Sequence, residues 1–325
     1  MIINYTIETR LLCLEIIIGK ENEYMISVVM ATYNGEKYIR QQLDSILNQT
    51  LKADEILICD DVSCDSTFEI LKEYEYANDN IVVYQNEKNL GYAQNFWNLI
   101  HKALGTYIVF SDQDDIWRPD KLEKIENVLD NNKDIFALNT GFSFIDSEGK
   151  GIKNIKLLRH KNAGGLKRID FVDFVKSPRY LGMAMAIRKD LLNLVTSEDV
   201  GWVHAHDWCL NHTAAFNKGM FYYDLILTDY RLHDNNTYGS SVNVEKNKRR
   251  EKRLSVIEDE TSLARILEVE YKRTLFYEFL SKHRQALEKR KKYYRSKQIG
   301  HLLLNYLKYR KYLSFRGLLG DIYTY

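Results

Sequence analysis

An apolar run, a polar loop and a helical stretch follow one another four times in the first 130 residues, and this alternation constrains the fold more than any other feature of the chain. Ile26-Ser27-Val28-Val29-Met30-Ala31 reads as a β-branched strand, Thr32-Tyr33-Asn34-Gly35 as a turn, and residues 38–48 as a helix. Residues 55–59, 60–67 and 68–76 repeat strand, loop and helix, and residues 81–84, 89–91 and 92–103 repeat them again. The fourth strand, Tyr107-Ile108-Val109-Phe110, runs into Ser111-Asp112-Gln113-Asp114-Asp115-Ile116-Trp117 and a helix begun by Pro119. Such a series predicts a mainly parallel, doubly wound α/β sheet with right-handed crossovers. Its loops then collect at the carboxyl ends of the strands, where open sheets of this kind bind ligands.

Two of those loops are acidic. One carries Asp60, Asp61 and Asp65, the other Asp112, Asp114 and Asp115. Hard divalent cations take oxygen ligands, and Mg²⁺ or Mn²⁺ commonly pairs one or two carboxylates with substrate phosphates. A metal and diphosphate site fits this pattern. The plain alternative is that these Asp residues cap the helices that follow. No Gly-x-Gly-x-x-Gly follows the first strand and no Gly-Lys-Ser/Thr phosphate loop is present, which disfavours the usual dinucleotide and ATPase readings. A carboxylate such as Asp61 can instead accept the N3–H of a uracil or thymine ring.

Together, residues 28–35, Asp60-Asp61-x-Ser63-x-Asp65-Ser66-Thr67, Asn89-Leu90-Gly91 with Asn95, and Ser111-Asp112-Gln113-Asp114-Asp115-Ile116-Trp117-x-Pro119 resemble the successive signatures of family 2 glycosyltransferases. These are inverting enzymes of the GT-A fold, and the Asp-Gln-Asp-Asp-Ile-Trp form is similar to a bacterial rhamnosyltransferase-type branch. The resemblance covers roughly residues 25–240. It implies that Thr32, Tyr33, Asn34, Asp61, Gly91, Asn95, Asp112 and Gln113 bind the nucleotide sugar, with Asp114 as direct metal ligand and His233 as its partner on Mn²⁺ or Mg²⁺. It also implies that Asp207, at the start of a helix, is the general base at the acceptor hydroxyl. One departure stands out: where many relatives have Arg, this chain has Ala93-Gln94-Asn95, which leaves Lys88 or Arg118 to meet phosphate.

The second half reads as a strand at 136–144, a turn at 146–151, a basic, loop-rich stretch at 151–178 and a strand at 180–188, whose Gly182 would let an acceptor or the backbone approach closely. Trp208 and Trp202 can stack on a sugar ring, although core packing is the commoner use of an aromatic. Asp207 has the competing reading of a helix cap. Asn235-Asn236-Thr237 fits a glycosylation sequon that a cytosolic bacterial enzyme would not use.

The net charge of +1 hides an asymmetry. From Lys246 onward there are 21 Lys/Arg and 9 Asp/Glu, a balance of +12 that leaves −11 for residues 1–245. This basic, Tyr-rich tail has apolar residues at helical spacing, suited to packing on the catalytic domain or a second subunit, or to an anionic membrane surface. No nucleic-acid-binding module is recognisable. The organisation expected is therefore an N-terminal extension (1–24), a GT-A catalytic domain (25–245) and a C-terminal helical extension (246–325).

Residues 1–24 make a poor signal peptide and too short a membrane span, and read as an accessory element or an over-extended start. The four Cys lack metal-ligand spacing and are too sparse for a disulfide framework, which points to the cytoplasm, with a peripheral place at the inner membrane face. The expected activity is metal-dependent, inverting transfer from a UDP- or dTDP-sugar to a glycan or lipid-linked oligosaccharide hydroxyl in bacterial surface polysaccharide synthesis. The competing readings are a nucleotidyltransferase acting on sugar phosphates and a catalytically silent membrane- or partner-binding scaffold.

Overall fold

The computed structural model describes residues 25–152, 162–178, 180–196, 205–233 and 246–324, and its first half follows the predicted alternation. The order is β1 (Ile26–Thr32), α1 (Ile39–Leu47), β2 (Glu55–Asp60), α2 (Thr67–Ala77), β3 (Ile81–Gln85), α3 (Tyr92–Lys102) and β4 (Tyr107–Ser111). Next come β5 (Ile116–Trp117), α4 (Lys121–Asn131), β6 (Ala137–Ile145), β7 (Leu166–Arg168), α5 (Phe171–Lys176), β8 (Met185–Arg188), α6 (His206–Phe216) and β9 (Met220–Arg231). The tail forms α7 (Lys246–Glu270), α8 (Tyr277–Arg295), α9 (Ile299–Tyr309) and α10 (Phe315–Thr324).

One mixed sheet runs β3-β2-β1-β4-β8-β6-β9-β5, with β7 also on β9. The first four strands are parallel, as is the long β6–β9 pair, whereas β8 lies antiparallel between β4 and β6. Strand alternation divides the apolar side chains between two layers of helices. Ile26, Val28, Met30, Ile56, Ile58, Tyr107 and Val109 face Ile39, Leu43 and Ile46 of α1, Leu71 of α2, and Leu122, Ile125 and Leu129 of α4. Val29, Leu57, Ile108 and Phe110 face the other way, toward Phe96 and Ile100 of α3 and Leu210 of α6. Leu263, Leu267, Tyr271 and Leu280, on or between α7 and α8, belong to this second core, so the start of the tail packs on the helices that cover the sheet.

Three expectations are corrected. Pro119 does not begin a helix: Trp117 N–H is taken by Ser45 Oγ and Arg118 N–H by Leu227 O, which holds this stretch at the sheet edge, and α4 starts at Lys121. Gly182 lies not in a strand but in a tight turn, Gly182–Ala184, before β8. The stretch 151–178 contains β7 and α5, whose Phe171, Phe174 and Val175 are buried, although residues 153–161 lie outside the described residues. So do residues 1–24, Trp202 and the Asn235-Asn236-Thr237 sequon.

Candidate active site

Parallel pairing of β1 with β2 and β4 sets Thr32 beside Asp60 and Met30 beside Ser111, so three loops leave the same sheet edge. The loop after β1 is tied to both neighbours. Gln113 accepts from Tyr33 N–H at 2.9 Å and donates to Tyr33 O at 3.0 Å, and its amide leaves no room for a side chain at Gly35. On the other flank Asn34 N–H donates to Ser63 Oγ, Gly35 N–H to Thr67 Oγ1, and Cys64 N–H to Asn34 Oδ1, each within 2.9 Å. The geometry includes two residues in the left-handed region, Asn34 (φ 49°) and the β-branched Val62 (φ 63°), a costly conformation of the kind that gathers at functional sites.

Asp61 is buried, with Oδ1 accepting from Leu90 N–H and Asn86 Nδ2 and Oδ2 from Gly91 N–H, all at 2.8 Å. Burial alone would raise its carboxyl, but these donors outweigh burial and hold it below the usual carboxylate range. One lone-pair direction on Oδ2 is left beyond these bonds. Gly91 (φ 80°) supplies the left-handed turn that aims its N–H at Asp61, and Tyr33 stands 47% exposed above the loops. Two expected donor-binding residues are instead inward. Thr32 Oγ1 bonds Asp60 Oδ1 beneath the surface. Asn95 is fully buried, its Oδ1 accepting from Asn86 Nδ2, so it steadies a partner of Asp61 rather than facing the crevice.

The acidic cluster lies beyond β4. Carboxylate oxygens of Asp112, Asp114 and Asp115 all fall within 4.8 Å of one another. Asp115 is fully buried; Oδ1 accepts from Arg231 N–H at 3.0 Å, while Oδ2 has no partner among the described residues. Burial and the charges of Asp114 and Asp112 push the Asp115 carboxyl well above its ordinary value. Burial, then Asp114 and Asp207, push Asp112 up to about 7. Like charges crowded in this way, with a buried unpartnered oxygen, are a donor set suited to a hard divalent cation. His233 Nε2 lies 2.7 Å from Asp114 Oδ2, with its ring against Tyr38, so both can reach the same ion. Arg118 is engaged by Asp229 at 2.8 Å and is half-exposed; Lys88 is exposed.

Two buried cations escaped the sequence reading. Lys121 Nζ donates to Met183 O and Thr228 Oγ1 and sits 3.9 Å from the Trp117 ring centre. Burial pulls this ammonium down to about 7, against the opposing pull of Asp115 and Asp112. Arg231, fully buried, donates through Nε to Asp114 O and through Nη2 to Gln41 Oε1 at 2.7 Å each, fixing the acidic loop from below. The only hint was Arg231's place two residues before His233, since a buried Lys or Arg looks like an ordinary surface charge in a sequence.

Across the site, Asp207 starts α6. Its Oδ2 accepts from Gly182 N–H at 3.0 Å and its Oδ1 from Trp208 N–H at 2.9 Å. Burial pushes its carboxyl up to about 6, and those donors limit the rise. The missing side chain of Gly182 makes room for His206 and Asp207, not for open space: a Cβ there would lie 3.0 Å from His206 Nε2. His206 packs against the rings of Phe96 and Phe110, with centroids 4.1 Å and 5.3 Å away, and is kept neutral by burial, which pulls it down to about 3. Trp208 is half-buried against the core.

Comparison with known proteins agrees with this geometry. Residues 27–195 match the family model of glycosyl transferase family 2. The chain is 31% identical over 244 residues to dTDP-rhamnosyl transferase RfbG of Shigella flexneri, covering 70% of this chain and 78% of that protein. It is 30% identical over 256 residues to the UDP-Glc:alpha-D-GlcNAc-diphosphoundecaprenol beta-1,3-glucosyltransferase WfgD of Escherichia coli, covering 75% of this chain and 90% of that one. It spans about half the length of other curated relatives that it matches, 50% and 49%. Its fold is similar to that of S. aureus TarS 1-349, solved with UDP-GlcNAc, at a TM-score of 0.54 and 18% identity over 90% of this chain and 93% of that one. With its motifs spread over a GT-A-like sheet and C-terminal helices, the chain belongs to glycosyl transferase family 2.

Proposed function

We propose that this enzyme transfers a sugar, with inversion, from a UDP- or dTDP-sugar to a hydroxyl of a glycan or lipid-linked oligosaccharide in the assembly of a bacterial surface polysaccharide. The activities for which RfbG and WfgD are named support that choice of donors, and the diphosphoundecaprenol acceptor of WfgD supports a lipid-linked acceptor. The observation that carries the reading is the gathering of Asp112, Asp114 and Asp115, with carboxylate oxygens within 4.8 Å of one another, at the sheet edge from which the Asp61 loop also leaves.

In this reading Asp61 and Tyr33 receive the base and ribose, while Asp112 and Gln113 line the donor's path. Asp114, with His233, would hold Mn²⁺ or Mg²⁺. A bound cation supplies Lewis-acid neutralisation of the leaving diphosphate, an effect worth several kcal/mol in typical cases. Asp207 takes the proton from the acceptor hydroxyl. At about 6 its carboxyl is mostly ionised at neutral pH yet more basic than an ordinary Asp, which suits a general base. The N–H groups of Gly182 and Trp208 fix its direction. Gly182 and Trp208 border the acceptor side.

Incubation with UDP- and dTDP-sugars and Mn²⁺ tests the proposal. Release of nucleoside diphosphate with transfer to acceptor supports it; pyrophosphate release would instead mean nucleotidyl transfer, and no turnover with any donor would favour a silent scaffold.

A further inference from the structure

The tail divides into two unlike halves. α7 and α8 bury their apolar stripes in the core of the catalytic domain, as Leu263, Leu267 and Leu280 show. α9 packs its inner face, Leu302, Asn305 and Tyr309, toward α8, and α10 packs Leu318 and Asp321 toward α7. Each of these last two helices then carries a second apolar face left largely exposed among the described residues, the Phe315 ring resting at its inner side on Tyr306. On α9 that face is Ile299, Leu303, Leu304 and Leu307, between 38% and 63% exposed. On α10 it is Phe315, Leu319, Ile322 and Tyr323, between 40% and 77% exposed. The spacings, i, i+4, i+5, i+8 and i, i+4, i+7, i+8, gather each set on one side of its helix. Of eighteen large apolar side chains that stand exposed among the described residues, these eight fall within 25 positions, a concentration that marks an interaction surface rather than scattered exposure.

Charge selects the partner. From Lys297 to Thr324 the chain has five cations, Lys297, Lys308, Arg310, Lys311 and Arg316, all exposed, and one carboxylate, Asp321. Asp321 is buried and takes Arg290 Nε at 2.6 Å and Arg253 Nε at 2.7 Å, so it offers no negative charge to the outside. An apolar face set among cations, free of exposed carboxylates and bearing aromatics, matches the acyl boundary and headgroups of an anionic bilayer. A face that met a second copy of itself would instead bring cations against cations. We propose that the α9–α10 face, and not the whole tail, docks the enzyme on anionic lipid. No helix among the described residues is long and apolar enough to cross a membrane, so the contact is with the surface.

The test uses the full chain in co-sedimentation with vesicles of phosphatidylcholine alone or with 40% phosphatidylglycerol, a ratio of about that order giving a strongly negative surface. Wild type should bind the anionic vesicles and release at high salt. Combined Leu304→Gln, Leu307→Gln and Leu319→Gln should weaken binding about tenfold or more. Combined Lys308→Glu, Lys311→Glu and Arg316→Glu should do the same, since each cation near such a surface contributes roughly fivefold. Because these side chains are exposed, melting temperature and nucleoside diphosphate release without vesicles should be unchanged in both variants, which keeps this test separate from that of the activity. Equal sedimentation of variants and wild type would overturn the proposal. So would a lipid-free dimer that the Gln variant disperses, because the face would then be covered by a second copy.

Discussion

Between α7, α8 and α10, Asp321 is buried against two guanidiniums, those of Arg253 and Arg290, and Arg290 also reaches Glu260. At the sheet edge, Asp112, Asp114 and Asp115 are buried or half-buried against one another, with the Lys121 ammonium opposing two of them. Both regions take charge out of water, but only the first neutralises it within the chain. The C-terminal network is thus an element of structure, in which each partner is costly to remove and little is left for a ligand. The sheet edge keeps charge that the fold alone does not satisfy, which is the condition expected where a cation or a proton must be handled.

Substitutions can break or sharpen this contrast. The largest effect is expected on the reactive side: Asp207→Asn should lower kcat about 10³-fold with donor affinity nearly unchanged, as steady-state kinetics and calorimetry would report. Normal turnover would remove Asp207 from the role of base. On the structural side, Arg290→Met should cost about 3 kcal/mol in denaturant unfolding, since it leaves the buried Asp321 with Arg253 alone and takes from the half-buried Glu260 its Arg290 partner.

The same type of change has the opposite sign at the site. The folded pKa of Asp115 lies above its unfolded value, so its charge destabilises the fold above that unfolded value; Asp115→Asn should raise stability by about 1 kcal/mol while impairing donor binding. The finest effect is in pH dependence. As the proposed base, Asp207 would have to be ionised, so kcat/KM should fall tenfold per pH unit below an acid limb near 6, and the limb should be absent from the residual rate of Asp207→Asn.

The contrast also explains how much the sequence made legible. Strands β1 to β4 are continuous apolar runs because both faces are covered, and such runs stand out against the polar loops between them; their bounds lie within a residue or so of the expected ones. The acidic motifs were equally visible, and the parallel register carried them to one edge. Side-chain direction was not. Thr32, at the end of β1, and Asn95, in the first turn of α3, point inward, because inward or outward is decided by neighbours on other segments, Asp60 and Asn86 among them. Lys121 and Arg231 were invisible for a related reason: their burial depends on backbone carbonyls supplied by the turn before β8 and the loop after β4, both distant in sequence. The tail's helical spacing was readable, but two apolar faces on one helix and one face on another give similar patterns, so only packing separates α7 and α8 from α9 and α10.

The central claim is that the uncompensated carboxylates are there to share a cation with a nucleoside diphosphate. Calorimetric titration with UDP and dTDP, in Mn²⁺ and in EDTA, tests it most directly on wild type and Asp114→Ala. The account predicts binding at least about tenfold tighter with Mn²⁺ in wild type, an effect of the size expected for one metal–phosphate contact, and no metal dependence in the variant. Equal affinity in Mn²⁺ and EDTA, or full metal dependence retained in Asp114→Ala, would contradict it.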